Sequence, residues 1–189
     1  MYKQNSLIEK CKNNNRKAQS ELYAMWFSTL MRIARKYKNN EDDASSIVND
    51  AFFKIFTNIQ NYKQELPFEA WIKRITINTV IDDFRKNKKH KNLLKIDDYS
   101  STDFLDFAVS IDEADENLNV QDILKLIEKL DEEERVVFNL FEIDGYSHKE
   151  IAKELEVSER SSKRYLASAR VNLRKMITQI FETVNMILL

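Results

Sequence analysis

The sequence predicts an all-α protein: two small helical domains joined by a flexible acidic linker, the C-terminal one a helix-turn-helix. Three observations lead there. The 189 residues include one glycine and one proline, and so few helix breakers suit a chain that is nearly all helix. Apolar residues recur at three- and four-residue spacing through most of the chain, the period of helices with one buried side. That period lapses from His90 to Asn119, and Ile96–Val120 holds eight carboxylates with no Lys or Arg, the composition of a self-repelling spacer. The expected boundaries are 1–90, 91–119 and 120–189.

In the N-terminal part, Leu7–Tyr37 reads as one or two helices. Leu22, Trp26, Leu30, Ile33 and Ala34 share a face, with Phe27 and Met31 beside it, and Asn39 and Asn40 break the pattern. Asp42 or Asp43 is the expected cap of the next helix, which has a wide apolar face of Ile47, Val48, Ala51, Phe52, Ile55 and Phe56. Asn49, Asp50, Phe53 and Lys54 project elsewhere, and Phe53 reads equally as a partner contact and as the edge of the core. A loop, Ile59–Pro67, precedes a long helix over Phe68–Asn87 with Trp71, Ile72, Ile75, Val80 and Phe84 on its apolar side. Trp71–Lys91 carries seven Lys and Arg against Asp82 and Asp83, a pair that reads as a solvated face. Cations suit a helix C-terminus, but the block is longer than capping needs and aromatic residues stand just upstream. Rings on which bases stack, beside cations that track phosphates, are what single-stranded nucleic acid requires.

In the C-terminal part, Val120, Ile123, Leu124, Ile127 and Leu130 restart a helix, and a short turn near Phe104–Phe107 interrupts the linker before it. Asp131 caps the following helix, with Glu132, Glu133 and Glu134 at its positive end and Val137, Leu140 and Phe141 inside. Gly145 is the expected C-cap. Ser147 caps the next helix, and Glu150 completes an S-x-x-E capping box. Ile151, Ala152 and Leu155 are its buried stripe, Glu156 and Val157 make the turn, and Ser158 caps the last helix. That helix buries Leu166, Ala169 and Leu173 and shows Arg160, Lys163, Arg164, Arg170, Arg174 and Lys175 against Glu159 alone. A short helix, a turn and a basic helix can lie in the DNA major groove. The plainer alternative is a solvated basic face. Ile177, Ile180, Phe181, Val184 and Leu188 extend one helical face beyond, either to pack on their own domain or to dock a regulator.

Composition narrows the function further. Net charge is −1, yet two basic blocks flank an acidic one, a distribution that suggests two sites on one long polyanion. Cys11 stands alone, which excludes an intrachain disulfide and reads as a small apolar filler. His90 and His148 lack acid or Cys neighbours at ligand spacing, so no metal, cofactor or catalytic histidine is expected. The polar N-terminus and the absence of any apolar run near ~20 residues predict a cytoplasmic protein with no membrane insertion.

Three stretches, in order, resemble the bacterial RNA polymerase sigma factors of the extracytoplasmic-function type. DDASSIVNDAFFKIFTNI is similar to the family's polymerase-binding helix, and PFEAWIKRITINTVIDDFRKNKK to its promoter-melting helix. LDEEERVVFNLFEIDGYSHKEIAKELEVSERSSKRYLASARVNLRK is similar to its C-terminal domain, so the likeness covers nearly the whole chain. The resemblance implies a non-enzymatic factor whose partners are core RNA polymerase and promoter DNA, and it admits an anti-sigma factor. Core polymerase would be held by Ser46, Asn49, Asp50, Phe53 and Lys54. Unstacked bases of a −10 element would be captured by Tyr62, Lys63, Trp71, Arg74, Asn78, Arg85 and Lys86. A −35 element would be read by Ser158, Arg160, Ser161, Lys163, Arg164, Tyr165 and Arg170. It further implies that the linker threads the channel later taken by nascent RNA. Several positions depart from the family pattern: Ser45 and Ser46 replace an acidic pair, Thr76 and Ile77 replace Ala-Arg, and Arg160-Ser161-Ser162 replaces Gly-Thr-Val. Ser162 is thus polar where the pattern is apolar, and Tyr165 stands where Arg is frequent. A conventional helix-turn-helix repressor or activator is the nearest rival; it accounts for Gly145–Lys175 but not for the aromatic-basic helix. A helical enzyme and a pure interaction protein are the others.

Overall fold

The computed structural model describes residues 2–63, 65–94 and 120–187, and its regular elements there are all helical. The chain divides into two compact units, Met1–Asn87 and Lys88–Leu189. In the first, α1 (Tyr2–Lys12), α2 (Arg16–Arg35) and α3 (Glu41–Asn58) lead through a 3-10 turn at Ile59–Asn61 into α4 (Phe68–Leu94), which belongs to this unit as far as Asn87. Leu7–Tyr37 is two helices because Asn14 takes a left-handed φ of 55°, which Asn tolerates. Asn15 then caps α2, its side chain accepting from the Ala18 N–H at 3.0 Å. Leu7, Ile8, Leu22, Leu30, Val48, Ile55, Ile72 and Ile81 form the core, each buried side chain stabilising by roughly 1.5–3 kcal/mol. Cys11 is fully buried among them, the filler expected; burial first, then Glu21, pushes its thiol pKa up.

Asn40, rather than Asp42 or Asp43, caps α3. Its side chain accepts from the Asp43 N–H at 2.8 Å and donates to the Asp43 carboxylate at 2.8 Å. Glu41, Asp42 and Asp43 fall in the first turn, where carboxylates meet the positive end of the helix dipole. The helix α4 runs past the expected end at Asn87 to Leu94, so the first residues of the 91–119 segment are helical. Lysines are good helix formers and favour a C-terminal turn, which explains the extension. The rest of the acidic segment, including Phe104–Phe107, lies outside the described residues. Asp82 and Asp83 are partly exposed, but each is also ion-paired. Asp83 binds the ammonium of Lys38, which is 8% exposed, and accepts from Asn87 Nδ2 at 3.1 Å. Asp82 meets Lys54 at 2.8 Å and Arg85 at 3.7 Å. These contacts tie α4 to the end of α2 and to α3.

The second unit contains α5 (Val120–Glu128), α6 (Glu132–Phe138), a π turn at Asn139–Ile143, α7 (His148–Leu155) and α8 (Glu159–Ile187). Leu126, Ile127 and Leu130 pack on Ala169 and Leu173, with Leu124, Phe138, Met176 and Ile177 around them. Ile177 therefore packs on its own unit, while Ile180 is exposed and the side chains of Phe181, Val184 and Leu188 lie outside the description. Asp131 holds the N-cap position of α6 without a side-chain capping bond. Glu134 lies in the first turn of α6, as expected, and is also buried. It accepts from Ser168 Oγ at 2.5 Å and Asn172 Nδ2 at 2.9 Å, joining α6 to α8. Arg135, also buried, donates to the carbonyls of Leu130 (2.8 Å) and Glu128 (3.1 Å), which the end of α5 leaves without helical partners. Burial lowers its pKa against the opposing pull of Glu132, Asp131, Glu128 and Glu133. Gly145, at φ 75°, lets the Tyr146 N–H return to the Leu140 carbonyl at 2.8 Å, a Schellman closure that aims the chain into α7.

Candidate polymerase and nucleic-acid interfaces

On α3 the apolar stripe turns inward, which leaves Ser46, Asn49, Asp50 and Phe53 exposed at the spacing of one helical face. Phe53 is 73% exposed, a whole ring in water amid polar neighbours, so it is not the edge of the core. Its sequence neighbour Phe52 is buried, its ring tilted against that of Tyr23 with centroids 4.4 Å apart. The Tyr23 hydroxyl donates to Asn49 Oδ1 at 3.0 Å, which braces that face from beneath. Lys54 points aside to Asp82.

The loop after α3 is shaped from within by aromatic rings. Tyr62 is 6% exposed; its hydroxyl donates to the Leu66 carbonyl at 2.8 Å, and its ring meets Phe68 edge-on at 5.1 Å and Trp71 at 5.2 Å. Tyr62 therefore anchors the loop and offers no open ring face to a base. Trp71 is half-buried against Phe68, which in turn meets Trp26. Lys63, Arg74, Asn78 and Lys86 are exposed, Arg74 and Asn78 four residues apart on one stripe of α4, while Arg85 is half-buried on Asp82. Leu66 is 59% exposed in this loop, an apolar residue among polar ones that the sequence does not single out.

The helix-turn-helix is built as its local chemistry predicts. Ser147 and Glu150 form the full capping box, and the hydrogen bonds from Ser147 hold the Glu150 carboxyl below its usual pKa. Glu156 ends α7 in the left-handed region, at φ 53°. Ser158 Oγ accepts from the Ser161 N–H at 3.0 Å and bonds Ser161 Oγ at 2.9 Å, so both hydroxyls are engaged in capping α8. Arg160 and Lys163 are exposed; Arg164 and Tyr165 are half-buried, with the guanidinium 5.3 Å from the ring centroid. Arg170 is exposed but held by Glu142, its Nη2 at 2.6 Å and Nε at 3.1 Å from one carboxylate oxygen.

The interior of this motif contains a pair that the sequence did not announce. Ser162 is fully buried, with Oγ 2.9 Å from His148 Nδ1, and the imidazole stacks on Phe141 at 4.5 Å. Burial first, then Lys163 and Arg170, lowers the His148 pKa, against a weaker pull from Glu159. A histidine depressed on folding gives its full stability above the unfolded pKa, about 6.5. That stability is lost as pH falls from there through the folded value. Thermal unfolding between about pH 7.5 and 5 should therefore show a fall in stability through this window, and His148→Phe should remove that component.

The family model for "ECF sigma factor" matches residues 1–179. The chain is 30% identical over 150 residues to RNA polymerase sigma factor SigZ of Bacillus subtilis, covering 76% of this chain and 80% of that protein. It is 26% identical over 159 residues to ECF RNA polymerase sigma factor SigE of Mycolicibacterium smegmatis, covering 84% of this chain and 61% of the relative. Among solved structures, the sigma factor RpoE of Bartonella quintana, in complex with the anti-sigma factor NepR, matches with a TM-score of 0.47 at 17% identity, covering 84% of this chain and 96% of that one. With a family match across almost all of its length, the chain belongs to the ECF sigma factor family.

Proposed function

We propose that this chain directs promoter-specific initiation by core RNA polymerase, with unit 1 binding the enzyme and the −10 element and unit 2 reading the −35 element. The observation that carries the reading is the exposed Phe53 on the polar face of α3, in a chain that also presents a basic recognition helix. A conventional repressor has no use for the first of these. Ser46, Asn49, Asp50 and Phe53 form the polymerase contact, with Lys54 at its margin. Lys63, Arg74, Asn78 and Lys86 face the melted strand; Tyr62 and Trp71 hold the loop that presents Lys63, and Arg85 lies at the edge. Capturing an unstacked base offsets the few kcal/mol that unpairing it costs. Bond-making stays with the polymerase, so the factor does no chemistry of its own and acts where the polymerase is, inside the cell. An anti-sigma factor is the natural regulatory partner.

On α8, Arg160, Lys163, Arg164 and Tyr165 are the base- and phosphate-contacting set, with Ser158 and Ser161 engaged in shaping the first turn and Arg170 shared with Glu142. Arg160→Ala should cost about 1–3 kcal/mol and relax specificity at one base pair, whereas Lys163→Ala should weaken all promoters alike. Alanine variants on a panel of −35 mutants separate the two; unchanged promoter use in both would return α8 to a solvated face. The overall test is run-off transcription from genomic fragments with the chain and core polymerase. Product is expected only when both are present, and tight binding to duplex DNA by the chain alone would favour a repressor.

A further inference from the structure

We infer that His148 is a positioning residue for −35 recognition: through Ser162 it fixes the rotation of the recognition helix and so decides which base edges its first turns reach. The inference rests on the reading of α8 as the −35 reader. Ser162 stands between the DNA-facing Arg160 and Lys163 yet is fully buried. Its backbone N–H is spent on the Ser158 carbonyl at 3.0 Å, so the hydroxyl needs a partner of its own. That partner is His148 Nδ1, 2.9 Å away on the neighbouring helix. The imidazole is itself fixed from two sides. Its backbone is the first helical residue after the Ser147 capping box, and its ring lies on Phe141 from the π turn, 24° from parallel. Three elements thus meet on one directional contact.

Direction is what matters. An apolar contact tolerates a small slide or roll, but a hydrogen bond weakens steeply as its angle and length depart from ideal. Side-chain ends lie roughly 5–6 Å from a helix axis, so a roll of about 20° displaces them by about 2 Å, enough to lose a base contact. Burial, Lys163 and Arg170 keep the ring neutral against Glu159. In that state Nδ1 can accept from the Ser162 hydroxyl or donate to it, and the contact is retained either way. The polar residue at an otherwise apolar position and the histidine fourteen residues before it are then one device.

The test is transcription by the chain with core polymerase from promoters that differ only in the −35 element. His148→Phe keeps a ring to stack on Phe141 and removes the hydrogen bond; Ser162→Ala removes it from the other side with almost no change of volume. Each variant is expected to shrink the preference for the best −35 sequence over its single-base variants about tenfold, and the double variant is expected to shrink it no further. Thermal unfolding of each variant, run alongside, tracks stability separately. A preference that survives in Ser162→Ala, whatever happens to stability, overturns the inference; so does a double variant whose losses multiply. A wild-type chain with no −35 preference at all overturns the reading of α8 itself and this inference with it.

Discussion

Phe53→Ala is expected to abolish assembly with core RNA polymerase while the chain stays folded. The ring is 73% exposed, so its removal leaves no cavity, and surface substitutions of this kind usually change stability by less than about 0.5 kcal/mol. An aromatic anchor buried at the centre of an interface commonly carries about 2–4 kcal/mol of binding, which corresponds to roughly 30- to 1000-fold in affinity. Phe52→Ala is the internal contrast. Phe52 is buried between Tyr23 and Phe56, and truncating it should cost about 3–5 kcal/mol of stability. Adjacent residues of the same type should therefore fail in opposite ways. Fluorescence titration with core polymerase and urea unfolding, run on both variants, give the comparison. Normal assembly by a folded Phe53→Ala chain would remove α3 from the polymerase contact.

A second divergence is expected on α4. Trp71→Ala should destabilise unit 1 by about 3 kcal/mol, the lower end for a large aromatic because the ring is half-buried. It would also loosen the loop, since Tyr62 and Phe68 both lean on that indole. Asn78 is exposed and four residues from Arg74 on the same stripe. Asn78→Ala should leave unfolding unchanged and still lose open-complex formation. Permanganate reactivity of promoter thymines reads the melting directly. Normal reactivity in Asn78→Ala would show that the −10 strand is captured elsewhere.

What was legible in the sequence was what local chemistry decides. The Ser147–Glu150 capping box, the Gly145 closure and the buried stripes of α7 and α8 depend on residues a turn apart, and the structure has them as read. The cap of α3 was misplaced because Asn40, Asp42 and Asp43 are all good caps, and composition does not rank them. The larger errors were tertiary. Tyr62 in a polar loop looks exposed until Phe68 and Trp71 arrive to cover it. Asp83 looks solvated until Lys38, 45 residues earlier, is brought beside it. Glu134 does lie in the first turn of α6, but its second role, joining that helix to Ser168 and Asn172 of α8, is invisible in the sequence. No periodicity carries such pairings. Ser162 did leave a trace, a hydroxyl in an apolar position, but the trace did not name His148.

The burial of Cys11 makes the chain unusually easy to instrument. It is the only cysteine in the sequence, fully enclosed, and its raised thiol pKa keeps it out of the thiolate form that alkylating dyes attack. Maleimide applied to the native protein should leave it untouched and react only after unfolding. Cysteines introduced at exposed Thr57 and Lys153 would then take donor and acceptor dyes without background. Energy transfer between them would follow the spacing of the two units as the chain joins polymerase, engages a promoter and is released.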